Sequence, residues 1–191
     1  MKIAITGKSG LGKKLAEYLE QFSYIKIVAF SSKGTSIENV DEVISKAKDC
    51  DVFINLAHLR FRQTELLHAI FNEWRHDPKK LIINISSRAA EPNISKGYLY
   101  AAQKASLNHL ASNLTYNSTK RCRISTLNLG LLEDPDLDSL SHDYVIQKIH
   151  EIIDTDVNIE IPELTIQHSA NYKEVQSMKE ALRDIEDYGE K

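Results

Sequence analysis

The chain is poor in the residues that mark special classes of protein. It carries 2 Cys, 4 Pro and 7 Gly among 191 residues. Two cysteines, Cys50 and Cys122, cannot brace a domain of this length, and neither has a second ligand at zinc spacing. A disulfide scaffold is therefore not expected, no metal is expected, and a reducing, cytoplasmic compartment is. So little proline and glycine leaves no collagenous, linker-like or disordered character. No apolar run approaches the roughly 20 residues of a membrane span. Met1 and Lys2 lead straight into a strand-like stretch that stops at Gly7, which predicts no secretory leader. An excess of one charge is missing too. Lys+Arg 24 against Asp+Glu 27 leaves a net charge of -3, which argues against nucleic acid or a membrane as partner.

What is present is an alternation of two periodicities. Lys2–Thr6, Tyr24–Phe30, Asp51–Ala57, Lys80–Ser86, Arg123–Leu129 and a stretch within Val157–Ile166 are rich in Ile, Val and Leu and read as strands. The continuous runs Val52-Phe53-Ile54 and Leu81-Ile82-Ile83 are expected of strands covered on both faces. Between them, residues from about Gly10 to Phe22, Val40 to Lys48, Thr64 to Arg75, Tyr98 to Tyr116 and Tyr144 to Ile153 follow helical spacing. Strands interleaved with helices predict a single doubly wound parallel α/β sheet of Rossmann type, with the first strand central, over residues 1–170. In the tail, 171–191, Val175, Met178, Leu182 and Ile185 form a helical stripe, expected to dock on the same domain or on a partner subunit.

Thr6-Gly7-Lys8-Ser9-Gly10-Leu11-Gly12 falls between the first strand and the first helix. Glycines there let the backbone turn sharply and approach a pyrophosphate, whose charge meets free N–H groups at the helix start. The second strand ends Phe30-Ser31-Ser32-Lys33, with no acid before Glu38. An Asp or Glu at that place would hold the ribose 2′-hydroxyl of NAD. Lys8 and Lys33, beside Ser31, instead offer charge to a 2′-phosphate, so NADP is the expected cofactor and NAD the alternative.

After the strand ending at Ser86 and Ser87, Tyr100 follows Ser87 by thirteen residues and precedes Lys104 by four. Positions four apart stack on one helix face, which sets an ammonium beside a phenol. A neighbouring cation favours phenolate, so Lys104 is expected to lower the pKa of Tyr100 and make it a usable proton donor and acceptor. Ser87, at the end of a strand, can hold the same substrate oxygen. Tyr98 has Ala102 at the matching offset and lacks such a partner.

With these residues the chain resembles the short-chain dehydrogenase/reductase family over roughly residues 1–135. The resemblance rests on Thr6-Gly7 with Gly10 and Gly12, Asn55-Leu56-Ala57, Ile83-Asn84-Ile85-Ser86-Ser87, Tyr100-Ala101-Ala102-Gln103-Lys104-Ala105-Ser106-Leu107 and Arg123-Ile124-Ser125. It implies a Ser87-Tyr100-Lys104 active site and hydride transfer between a nicotinamide cofactor and a carbonyl or alcohol. It also implies that Lys104 bonds the nicotinamide ribose, that Asn55, Leu56 and Ala57 back the cofactor, and that Gly130 and Leu132 approach it. The departures are a glycine loop one residue shorter than in the single-domain branch, His58 in place of a glycine, and Asn128-Leu129-Gly130 in place of Pro-Gly. The lid segment is cut to Leu131–Asp143, and no residue stands for the family's helix asparagine.

His58, Arg60, Arg62 and Arg88 follow strand ends, where ligands sit in such sheets, and could hold an anionic group of a small-molecule substrate. A solvated basic loop is the other reading. The wide apolar face around Trp74, with the family's habit of pairing two neighbouring helices, predicts a homodimer. The expected function is an NADP(H)-dependent oxidoreductase. A sugar-nucleotide reductase or epimerase, and a cofactor-binding sensor without turnover, are the alternatives.

Overall fold

Six strands and five α-helices follow one another among the described residues of the computed structural model, which are 1–30, 34–92, 94, 97–134 and 137–169. They are β1 (Lys2–Thr6), α1 (Gly10–Leu19), β2 (Lys26–Phe30), α2 (Val40–Ala47), β3 (Val52–Asn55), α3 (Arg62–Trp74), β4 (Leu81–Ser87), α4 (Tyr98–Thr115), β5 (Arg123–Leu129), α5 (His142–Asp154) and β6 (Glu163–Ile166). Ser31, Lys33 and the predicted tail helix with Val175, Met178, Leu182 and Ile185 lie outside the described residues.

The strands form one sheet in the order β2-β1-β3-β4-β5-β6, every pair parallel. The doubly wound Rossmann-type sheet read from the sequence is therefore present. Its first strand is not central. After β2 the chain passes through one helix and crosses to the far side of β1, so a single strand lies outside β1 and four lie beyond it. The crossovers reverse between β1 and β3, and in such sheets the ligand crevice opens at that point, over the carboxyl ends of the strands.

Alternate strand residues point to opposite faces. Ile3, Ile5, Val52, Ile54, Leu81, Ile83, Ile85, Leu127 and Leu129 pack in the layer beneath α1 and α5, with Leu11, Leu15 and Ile149. Ala4, Phe53, Ile82 and Ile124 meet α2, α3 and α4. Burial on both faces is why the central strands read as unbroken apolar runs. The middle helix of that second layer, α3, packs between α2 and α4, and Leu66, Leu67, Ile70, Phe71 and Trp74 are all buried by the chain itself. The Trp74 ring stands edge-on to Phe53 at 6.4 Å, and its Nε1–H donates to the Lys48 carbonyl at 3.1 Å. The apolar face expected to be left for a partner subunit is thus used up internally, because α2 flanks α3 on the side opposite α4.

Toward the carboxyl edge this second layer turns polar. Asn55 Nδ2 donates to Asn84 Oδ1 at 3.1 Å and to the Gln63 carbonyl at 2.8 Å, while Asn108 Nδ2 on α4 donates to Asn128 Oδ1 at 2.8 Å. Such groups are tolerated inside because they bond one another. They form the floor on which the site rests. Among the described residues no group of three or more His, Cys, Asp or Glu could hold a metal ion, and no helix is long and apolar enough to cross a membrane.

Candidate active site at the carboxyl edge

The glycine loop is held in place by strand ends. Thr6 is buried, and its Oγ1 accepts the N–H groups of Leu56 at 2.8 Å and Ala57 at 3.0 Å. The next N–H, of Gly7, donates to the Phe30 carbonyl at 2.9 Å, so the tips of β2, β1 and β3 are joined. Gly7 and Gly10 have φ of 99° and 50°, a region that L side chains rarely adopt. A Cβ on Gly12 would lie 2.6 Å from the Gly7 carbonyl oxygen. Ser9 gives α1 no side-chain cap, and the helix has no acid in its first turn. A close-packed turn feeding an uncapped, acid-free helix start suits an anion approached by backbone N–H groups. The loop residues therefore fit a dinucleotide pyrophosphate.

Around it, Lys8 is exposed, whereas Leu11 is part of the core and offers only its backbone. Asn55 is fully buried, so its side chain braces β3 against β4 and α3 rather than lining the crevice. Leu56 and Ala57 pack against Gly7. Gly130 donates its N–H to the Ile166 carbonyl at 2.8 Å, and a Cβ there would press on Gln167 at 3.1 Å. Close passage of the chain after β6 therefore calls for a glycine at that position. Leu132 bridges to Leu140 and packs on the α1–α5 core.

Ser87, Tyr100 and Lys104 come together. Ser87 ends β4, and its Oγ accepts the Ala89 N–H at 3.1 Å, while its hydroxyl favours the phenolate of Tyr100. One turn along α4, Lys104 is 4% exposed. Its Nζ lies 5.8 Å from the Tyr100 ring centroid and donates to Gln63 Oε1 at 2.6 Å and the Ile85 carbonyl at 3.0 Å. Burial draws the Lys104 ammonium down to about 8. The phenol moves opposite to the sequence expectation. Burial pushes Tyr100 above the ordinary tyrosine value and the Ser87 hydroxyl draws it back only in part. Lys104 gives its hydrogen bonds to Gln63 and Ile85 and meets Tyr100 across the face of the ring.

Among the four residues assigned to substrate, only His58 is shown joining this group. Its ring stands edge-on to Tyr100 at 4.9 Å between centroids. Burial and the Lys104 charge hold it below the usual histidine range, against the opposing pull of the Gln63 and Gln103 side chains. Arg62 is paired with Glu65 and lines a groove between α2 and α3 with Glu38, Asp41 and His68. Arg88 makes a two-pronged contact to Glu91 at 2.9 and 2.8 Å. Arg60 is exposed, with φ of 50°. The three guanidinium groups do not share one anion site. Sequence reasoning missed Gln63, whose partner Lys104 is 41 residues away.

The fold, a parallel sheet with a glycine loop at its switch point, is similar to that of solved short-chain dehydrogenases and reductases. No family model and no curated protein matches the sequence. Among solved structures the chain is similar to a short chain dehydrogenase/reductase family protein, with a TM-score of 0.70 at 16% identity over 87% of this chain and 95% of that one. It is also similar to serine dehydrogenase from Escherichia coli (TM-score 0.68, 15% identity, 90% of this chain and 99% of that one). An alcohol dehydrogenase from Thermococcus sibiricus, complexed with 5-hydroxy-NADP, gives a TM-score of 0.69 at 15% identity over 90% and 98%. At such identities the likeness is one of fold.

Proposed function

We propose that the protein is an NADP(H)-dependent reductase that converts a carbonyl group of a small molecule to an alcohol. The observation that carries this reading is the grouping of the Tyr100 phenol with the Ser87 hydroxyl at the end of β4 and the buried Lys104 Nζ, 5.8 Å from the centroid of its ring. A nicotinamide held over the glycine loop would supply the hydride. As the substrate oxygen gains charge, Tyr100 donates its proton to it and Ser87 donates a hydrogen bond to the same atom. A phenol kept above its ordinary pKa is in its protonated form before the reaction, which is the form a reduction needs. Lys104 then stabilises the phenolate left behind. General acid catalysis typically contributes about 10²–10⁴-fold. Tyr100→Phe is expected to lose that much in kcat on whichever carbonyl compound a screen identifies, with NADPH affinity unchanged. A variant as fast as the wild type would set this reading aside in favour of a cofactor-binding sensor.

The NADP preference rests on the exposed Lys8 in the loop, with Lys33 as its sequence partner and no acid before Glu38. Fluorescence titration should give NADPH the tighter binding, and Lys8→Ala with Lys33→Ala should erase the difference from NADH. The expected homodimer would use the outer faces of α3 and α4, the latter bearing exposed Tyr98 and Leu99 and followed by exposed Tyr116. Light scattering at micromolar concentration decides between monomer and dimer.

A further inference from the structure

The amide of Gln63 sits where three elements converge. It is 2% exposed and lies in the first turn of α3. Its Nε2 donates to the carbonyls of Asn55 at 2.9 Å, Ile85 at 3.2 Å and Leu56 at 3.3 Å, and so spans the ends of β3 and β4. Its Oε1 accepts from Lys104 Nζ at 2.6 Å, and its side chain favours the charged form of the His58 ring. An amide whose nitrogen is committed to backbone carbonyls cannot rotate, so its oxygen is a fixed acceptor. A lysine side chain has four rotatable bonds and would otherwise reach for water. With its two acceptors on α3 and β4, Lys104 is stretched along one path beneath Tyr100.

We propose that Gln63 is a positioning residue, which anchors the Lys104 ammonium against the Tyr100 ring. This rests on the reductase reading for its meaning, but not for its test. The titratable groups facing Lys104 are His58, from the segment after β3, and Tyr100 on its own helix; the contacts from α3 and β4 are an amide and a carbonyl, both uncharged. An ammonium held against neutral acceptors in a buried place gives up its proton more easily than one in water. A carboxylate in place of the amide oxygen reverses that, since an opposite charge at hydrogen-bond distance favours the charged form.

The experiment follows the Lys104 ammonium by nuclear magnetic resonance in the full chain labelled with 15N-lysine, assigned by its loss in Lys104→Arg. In the wild type we expect a slowly exchanging ammonium signal with an Overhauser contact to the Gln63 side chain, and a titration midpoint near 8. Gln63→Glu should raise that midpoint by at least about one unit, tenfold in proton affinity. The alkaline limb of kcat/KM should move with it. A merely structural glutamine would lower the melting temperature without moving either. An unmoved midpoint in a folded Gln63→Glu overturns the proposal. If that variant does not fold, the wild-type contact decides, and its absence overturns the proposal equally. A wild type that reduces no carbonyl compound overturns the reductase reading instead, and the Lys104 titration still tests the anchoring.

Discussion

The buried ammonium of Lys104 couples the site to the stability of the whole protein. Burial lowers its pKa to about 8, while an unfolded chain holds its lysines near the ordinary value of about 10.4. Below pH 8 both states carry the proton, and the folded state bears the full penalty of desolvation, roughly 3 kcal/mol for a shift of this size. Between pH 8 and about 10.4 the unfolded chain binds more protons, so this group's contribution to stability rises with pH. The melting temperature of the wild type should therefore gain on that of Lys104→Met as the pH is raised from 8 to 10. Calorimetry of the two proteins across that range checks the sign. Turnover should move the other way and decline above pH 8, as the cation that steadies the phenolate is lost. The Ser87, Tyr100 and Lys104 set is legible in the sequence because a strand end and one helix turn convert fixed offsets into neighbourhood. The sign of the Tyr100 shift is not, because it depends on burial and on which acceptors hold Lys104.

At the scale of elements, two glycines of one loop make opposite demands. An alanine at Gly12 would set its Cβ 2.6 Å from a backbone oxygen, with no flexible side chain to give way. Gly10 has open space around it, and only its φ of 50° resists a side chain. Forcing a group into a packed place typically costs about 1–3 kcal/mol, and here it also spreads the turn proposed to meet the cofactor. Gly12→Ala should lower both the melting temperature and the affinity for NADPH. Gly10→Ala should cost about 1–2 kcal/mol, the left-handed penalty alone, with the loop still closed. Unfolding curves and fluorescence titration separate the two. Most elements were readable from periodicity, since each has a buried face of its own. The last strand, expected within Val157–Ile166, occupies Glu163–Ile166, because Asp156 accepts the Asn158 N–H at 2.8 Å on its side chain and the Ile159 N–H at 2.9 Å on its carbonyl, forming a turn ahead of it. The place of β1 in the sheet had no local signal at all. Strand order is decided by crossovers, not by any one segment's pattern.

On the scale of the whole molecule, the α2–α3–α4 layer holds both cysteines. Cys50 and Cys122 are free and buried, and burial lifts both thiols, Cys122 to about 11. Thiolate is the reactive form, so both should resist a thiol reagent in the native protein and react only through opening, roughly 100-fold or more slower than in denaturant. A colorimetric thiol assay with and without guanidinium measures the ratio. The Thr6 hydroxyl, which joins β1 to the start of the segment after β3, has its own consequence in time. A glycine loop already braced by three strand tips has little freedom left to surrender to the proposed ligand. Encounter should then be a single step, with an observed rate linear in NADPH concentration and no slow phase after mixing. Thr6→Val, which keeps the shape and removes the oxygen, should release that loop and bring in the lag that the native chain avoids.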